Sequence, residues 1–393
     1  MSFFARAVEA APNDPEPQIY LNNIKARQQG SPFKLAVAVP VDYQEDAARE
    51  ILRGVADAQT QFNDVGGKDG RLLEIVIAND ASKPAVARKI AQQLVANPEV
   101  LGVIGHTSSE VSSAALSEYG KAELAMVSPT STSTSLKNSV FFRTVPSDKV
   151  AGEKLAKYAK NTLRLEKVMI FYDSQDSYSR SLKQAFETKL TKLGGKVVSL
   201  VDMTNPKLDA KGQIKQSMDH NQVQAAVLLP SLQTASVAIS IARANAELPQ
   251  NKRLQLLGGD GLYLPETLIQ GGSAVEGLTI AVTWSDETSS YARVAEKRWK
   301  GRVNWRTATS YDAAQALINA LSSNATRKTV LENLRSLELS CHETSGEKLR
   351  FWATGDPDRE SRLVRVDKNA PAPSGSRLGF KEIDQSKHNE PGC

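Results

Sequence analysis

The chain has 393 residues, 40% hydrophobic and 24% charged, the proportions of a globular protein long enough for two lobes and not of a disordered one. Its 49 basic and 44 acidic residues leave a net charge of +5, but they are interspersed, with no basic block and no aromatic-basic interleaving, so nucleic acid is excluded as the expected partner. No apolar run approaches the roughly 18 residues of a membrane span, and the opening MSFFARAVEAAPNDPEP is too short in its apolar part for a signal peptide, so the chain is either cytosolic or without its targeting segment.

The first 30 residues read as helix, a PNDPE break and helix. They resemble one tetratricopeptide unit, with Ala7, Pro12 and Tyr20 as cues. One unit cannot bury its own face, so the segment is expected to end a longer repeat array or, alternatively, to dock on the main domain. From about residue 34 two periods alternate. The runs KLAVAVP, LLEIVIAND, VLGVIGH, LAMVSP, KVMIFYD, KVVSLVDM, AAVLLP, LQLLGGD and LTIAVTW are read as strands buried on both faces. In EDAAREILRGVADAQTQFNDVGG the apolar residues Ala47, Ile51, Leu52, Val55, Ala58 and Phe62 recur at three and four, and Gly66 and Gly67 end the pattern. KPAVARKIAQQLVANP and YSRSLKQAFETKLTKLGG read the same way. Strands alternating with single amphipathic helices imply α/β architecture with parallel sheets, because parallel neighbours need a crossover and a helix supplies it. Nine strand candidates suggest two such sheets. The end of the chain, NAPAPSGSRLGFKEIDQSKHNEPGC, reads as a tail whose last dozen residues are mobile.

The chemistry is sparse. His106, His220, His342 and His388 offer no pair on one element, so no metal is expected, and Cys341 and Cys393 lie too far apart to suggest a disulfide framework or a zinc site. There is no phosphate-binding glycine loop and no G-x-S-x-G elbow. His106, three residues before Ser109, reads as a histidine satisfied at a strand end rather than half of a catalytic pair. What the chain offers instead are uncharged donors at strand ends: GHTSSE after one strand, and after the next a run from Ser128 to Ser135 with seven hydroxyls. Hydroxyls and free N–H groups at a loop-to-helix junction suit a carboxylate; Ser109 and Ser131 acting only as helix caps is the competing reading. In LLGGDGLYL, Asp260 sits between glycines after a strand, placed to hold an ammonium or to serve as a turn residue.

VIGHTSSEVSSAALSEYGKAELAMVSPTSTSTSLKNSVFFRTVPSD, YDSQDSYSRSLKQAF, LLGGDG, VEGLTIAVTW, SYDAAQAL and GEKLRFWATGD together resemble the type I periplasmic binding proteins of the leucine/isoleucine/valine receptor group, from about residue 33 to residue 367. The resemblance implies two Rossmann-like lobes, 33–146 with 283–340 and 147–282 with 341–370, joined by a three-segment hinge, preceded by residues 1–30 and followed by a tail at 371–393. It implies capture of a small ligand without catalysis or cofactor. The expected ligand is a neutral or branched-chain amino acid, delivered to an ABC permease outside the cytoplasm; the alternatives are the sensor of a fused membrane signalling module, or a non-amino-acid carboxylate such as an aromatic acid or amide. Residue by residue, it places Ser109 and the Ser128, Pro129, Thr130, Ser131, Thr132 loop on the ligand's α-carboxylate, Asp260 on its ammonium, and Tyr178, after the turn that follows a second-lobe strand, among the ligand-binding residues. Trp284 then lines the pocket, and Tyr43 or Gln44, with Ser231 or Leu232, faces the side chain.

Overall fold

All nine apolar runs are strands in the computed structural model, which describes residues 2–285 and 289–383. Helices α1 (Ser2–Ala10) and α2 (Pro15–Gln29) precede them. The first lobe then alternates β1 (Phe33–Val39), α3 (Glu45–Asp64), β2 (Leu73–Asn79), α4 (Pro84–Ala96), β3 (Val100–Ile104), α5 (Ser109–Lys121), β4 (Ala125–Ser128) and β5 (Phe141–Arg143). These strands form one parallel sheet in the order β2-β1-β3-β4-β5.

The second lobe continues with α6 (Asp148–Lys157), β6 (Lys167–Tyr172), α7 (Ser177–Lys192), β7 (Lys196–Asp202), α8 (Ala210–Asn221), β8 (Ala225–Leu229), α9 (Ala235–Ala246), β9 (Gln255–Gly258), α10 (Pro265–Gly271) and β10 (Thr279–Val282). The chain returns to the first lobe through α11 (Ser290–Trp299), α12 (Trp305–Ala320) and α13 (Arg327–Arg335). A small ladder of β11 (Glu338–Leu339) and β12 (Leu349–Arg350) follows, then β13 (Arg362–Asp367) and β14 (Gly379–Glu382). The last two join the second sheet antiparallel, giving the order β14-β13-β10-β9-β8-β6-β7.

Two differences from the sequence reading follow from edges. β7 is largely half-exposed rather than buried on both faces, because it closes one edge of its sheet. At the other edge the tail supplies β14, with Leu378 buried in the second core; residues 384–393, most of the stretch expected to be mobile, lie outside the described residues. Leu349 and Phe351 pack into the first lobe's core. Cys341 is buried and disulfide-bonded, which the cysteine spacing did not suggest; the chain's other cysteine, Cys393, lies outside the described residues.

The first lobe is built around the contact of α3 with α12. The fully buried Ile51 and Val55 each contribute roughly 1.5–3 kcal/mol relative to exposure. Gly54 lets the two helices approach: a Cβ there would lie 2.2 Å from the Thr307 carbonyl oxygen. The N-terminal segment docks on this lobe. Ile19 is fully buried, and the Asn23 side-chain amide pairs with the backbone of Ile75, donating to its C=O at 2.8 Å and accepting from its N–H at 2.8 Å. It thereby occupies backbone groups on the outer edge of β2, which an open edge strand would leave free to pair with another chain. Among the described residues no helix is long and apolar enough to cross a membrane.

Candidate functional site

Where β1, β3, β4, β6, β8 and β9 end, their loops meet the first turn of α12 around a cavity of about 180 Å³. Open parallel sheets place ligands at the carboxyl ends of their strands because the loops converge there. The lobes touch across the cleft: the Thr134 N–H donates to the Ser181 hydroxyl at 3.0 Å.

The seven hydroxyls after β4 divide into two groups. One wires the loop to its neighbour. The His106 carbonyl accepts from the hydroxyls of Ser128 at 3.1 Å, Ser131 at 3.2 Å and Thr130 at 3.3 Å, and Thr130 also donates to the Thr107 carbonyl at 2.7 Å. From below, Arg143 donates to the carbonyls of Ser131 at 3.3 Å and Ser133 at 3.0 Å. Satisfied on both sides, the loop holds its shape. The Ser131 hydroxyl is spent on this wiring and Ser131 is not among the cavity-lining residues, whereas Ser109, Thr130 and Thr132 line it. Ser108, not Ser109, caps α5, its hydroxyl accepting from the Val111 N–H at 3.3 Å. The Ser109 hydroxyl accepts from the Ser133 N–H at 3.1 Å, leaving its own proton to donate.

His106 is a satisfied core residue, as read from the sequence: Nδ1 lies 2.7 Å from the Asp80 carboxylate and Nε2 lies 3.1 Å from the Tyr119 hydroxyl. Among the described residues no group of acids, histidines and cysteines is placed to hold a metal.

Opposite the hydroxyls stands a carboxylate. The Tyr178 hydroxyl donates to Asp260 Oδ1 at 2.5 Å and accepts from the Gly261 N–H at 3.1 Å. Gly259 permits this approach, since a Cβ there would come within 2.6 Å of the Tyr178 oxygen. Burial raises the Asp260 pKa, a shift opposed by the Tyr178 hydroxyl and by the charge of Arg306. Burial, then the Asp260 charge, pushes the Tyr178 phenol well above its ordinary range, so the phenol stays a donor. Ser231 lines the cavity but donates to Asp173 at 2.6 Å.

Three expected positions sort differently. Gln44 reaches the small cavity, while Tyr43 stands exposed beside a second, larger space of about 690 Å³. Leu232 borders both. Trp284 reaches only the larger space, its indole N–H donating to the Ser345 carbonyl at 3.4 Å. The tryptophan on the small cavity is Trp305, with Arg306 beside it. The sequence reading missed both, and the asparagine cap before them, Asn304, was the one local sign that a helix opened there.

A cavity between two lobes, with hydroxyl donors and Glu110 on one wall and Asp173, Asp176 and Asp260 on the other, suits a small polar molecule. The chain belongs to the periplasmic binding protein family, whose model matches residues 42–371, and its fold is that of the type I members. It is 31% identical over 163 residues to an amino acid binding protein of Pseudomonas aeruginosa, a match covering 41% of this chain and 43% of that protein. It is 24% identical over 341 residues to Leu/Ile/Val-binding protein homolog 2 of Brucella abortus, covering 82% of this chain and 87% of the relative. A leucine binding protein of Thermotoga maritima superposes with a TM-score of 0.75 at 23% identity, covering 88% of this chain and 97% of the other.

Proposed function

We propose that this protein captures an α-amino acid between its lobes and delivers it to an ABC-type membrane permease, outside the cytoplasm and without catalysing a reaction. The carrying observation is the polarity of the cavity. Its first-lobe wall holds the Ser109, Thr130 and Thr132 hydroxyls at the amino end of α5, where helix N–H groups and the helix dipole favour an anion. Its second-lobe wall holds the Asp260 carboxylate, oriented by Tyr178. A zwitterion with its carboxylate toward the first wall and its ammonium toward the second satisfies both.

The names of the Pseudomonas and Brucella relatives support the amino-acid class. The disulfide at Cys341 suits an oxidising compartment. The lobes close about chain crossings near residues 146 and 283 and between Phe351 and Arg362. The test is a thermal-shift screen of the whole chain against amino acids and aromatic carboxylates, with mass spectrometry of any co-purified molecule and small-angle scattering with and without the best ligand. The expected result is that an amino acid raises the melting temperature and makes the protein more compact. Stabilisation by an aromatic carboxylate with no response to any amino acid overturns the proposal.

A further inference from the structure

Arg306 opens α12 with its side chain almost wholly enclosed, 5% exposed, and it borders both the small cavity and the larger space beyond it. Its guanidinium stacks over the Trp305 ring, 4.4 Å from the centroid. Its Nε is buried without an acceptor among the described residues, and so is the Trp305 indole N–H. No described residue forms an ion pair or a side-chain hydrogen bond with this guanidinium.

None of the neighbouring carboxylates bonds to it, although the charges of Asp260, Glu50 and Glu266 all favour its cationic form. Asp260 holds the Tyr178 hydroxyl. Glu50 takes the Thr307 hydroxyl, the Asn304 N–H and the Arg53 guanidinium. Glu266 acts on Arg306 only through its field. A buried charge without a hydrogen-bonded partner is destabilising, and a guanidinium is the side chain whose two parallel donors match a carboxylate. A molecule held by its α-carboxylate on the first-lobe hydroxyls and by its ammonium on Asp260 has one substituent left, and Trp305 and Arg306 line the same cavity.

We propose that Arg306 is a subsite for a carboxylate at the end of the ligand's side chain, so that the amino acid this protein prefers is an acidic one. The inference rests on the amino-acid reading and names the side-chain class within it. The two carboxylates of such a ligand are held by different chemistry: the first by neutral hydroxyl and N–H donors, the second by a full positive charge stacked on an indole, where cation–π contact holds the guanidinium in place.

The test is titration calorimetry of the full chain and of Arg306→Gln and Arg306→Lys with glutamate, 2-aminoadipate, glutamine, leucine and glutarate. Glutamate or 2-aminoadipate should bind at least about 30-fold more tightly than glutamine, the lower end expected for a buried charge pair. Arg306→Gln should abolish that preference, the loss of affinity falling at least about tenfold more heavily on glutamate and 2-aminoadipate than on glutamine, and Arg306→Lys, which keeps the charge but not the paired donors, should restore part of it. Leucine or glutamine binding best, with affinity insensitive to Arg306→Gln, overturns the acidic subsite and leaves the amino-acid reading standing. Equal loss for every ligand in Arg306→Gln also overturns it, by showing that Arg306 only supports the cleft. Glutarate binding through Arg306 with no response to any amino acid overturns the amino-acid reading instead, and with it the preference for an acidic amino acid.

Discussion

Asp260→Asn separates an ammonium partner from a turn residue. The wild-type carboxylate accepts from Tyr178 at 2.5 Å, and the asparagine oxygen can accept the same bond, so the Tyr178–Gly261 link survives. Asparagine also tolerates turn geometry, and stability should change by less than about 1 kcal/mol. What is lost is the negative charge facing the ligand's ammonium in a closed cleft. Removing one member of a buried, hydrogen-bonded charge pair costs roughly 2–5 kcal/mol, or about 30-fold to several thousand-fold in affinity. Deaminated analogues carry no ammonium and should bind the variant as well as or better than wild type. Titration calorimetry of both proteins with the best amino acid and its deaminated analogue measures the two effects, with a thermal melt as the folding control. An Asp260→Asn variant that binds the amino acid within about threefold of wild type, well below the buried-pair range, refutes the assignment of Asp260 to the ammonium.

Asp148 begins α6 fully enclosed, and burial raises its pKa to about 7, partly offset by the hydroxyls of Thr132 and Ser181. Because its folded pKa lies above the unfolded value near 3.9, the stability it contributes is present below about pH 4 and is lost as pH rises through about 7; Asp148→Asn should therefore gain stability relative to wild type between pH 5 and 8, by roughly 2–4 kcal/mol, and parallel denaturant-derived stabilities across that range refute it. Asn23→Ala removes both bonds to the Ile75 backbone and the one accepted from Gln59, so stability should fall by about 1–3 kcal/mol while ligand affinity, set at the far ends of the strands, stays within about twofold; an unchanged melt means that the docked helix does not support the edge of β2. Alkylation under denaturing, non-reducing conditions should leave Cys341 unmodified, and a labelled Cys341 peptide contradicts the disulfide.

The sequence by itself determined the alternation of strand and helix, and with it the end of the sheets at which the cavity lies. Strands covered on both faces are written as unbroken apolar runs, because every residue of β1 from Leu35 to Val39, or of β8, meets a core. Once those runs are parallel, the loops at their carboxyl ends must converge, so Ser109, Thr130, Thr132 and Asp260 were legible as residues of one cleft before any contact was known. The short β5 and the antiparallel β13 and β14 carried no such signal, since strands of this kind are defined by the edge they join rather than by their own pattern. Tertiary structure alone decided which hydroxyls face the cavity and which, like Ser131, turn back onto the His106 carbonyl. The same holds for the choice of Trp305 over Trp284 and for Arg306, which no motif announced. Both residues stand at the start of a helix far along the chain from the other cavity residues. They reach the cavity only because α12 packs on α3 across Gly54, and a close approach between helices distant in sequence is a property of the packed lobe, not of either segment.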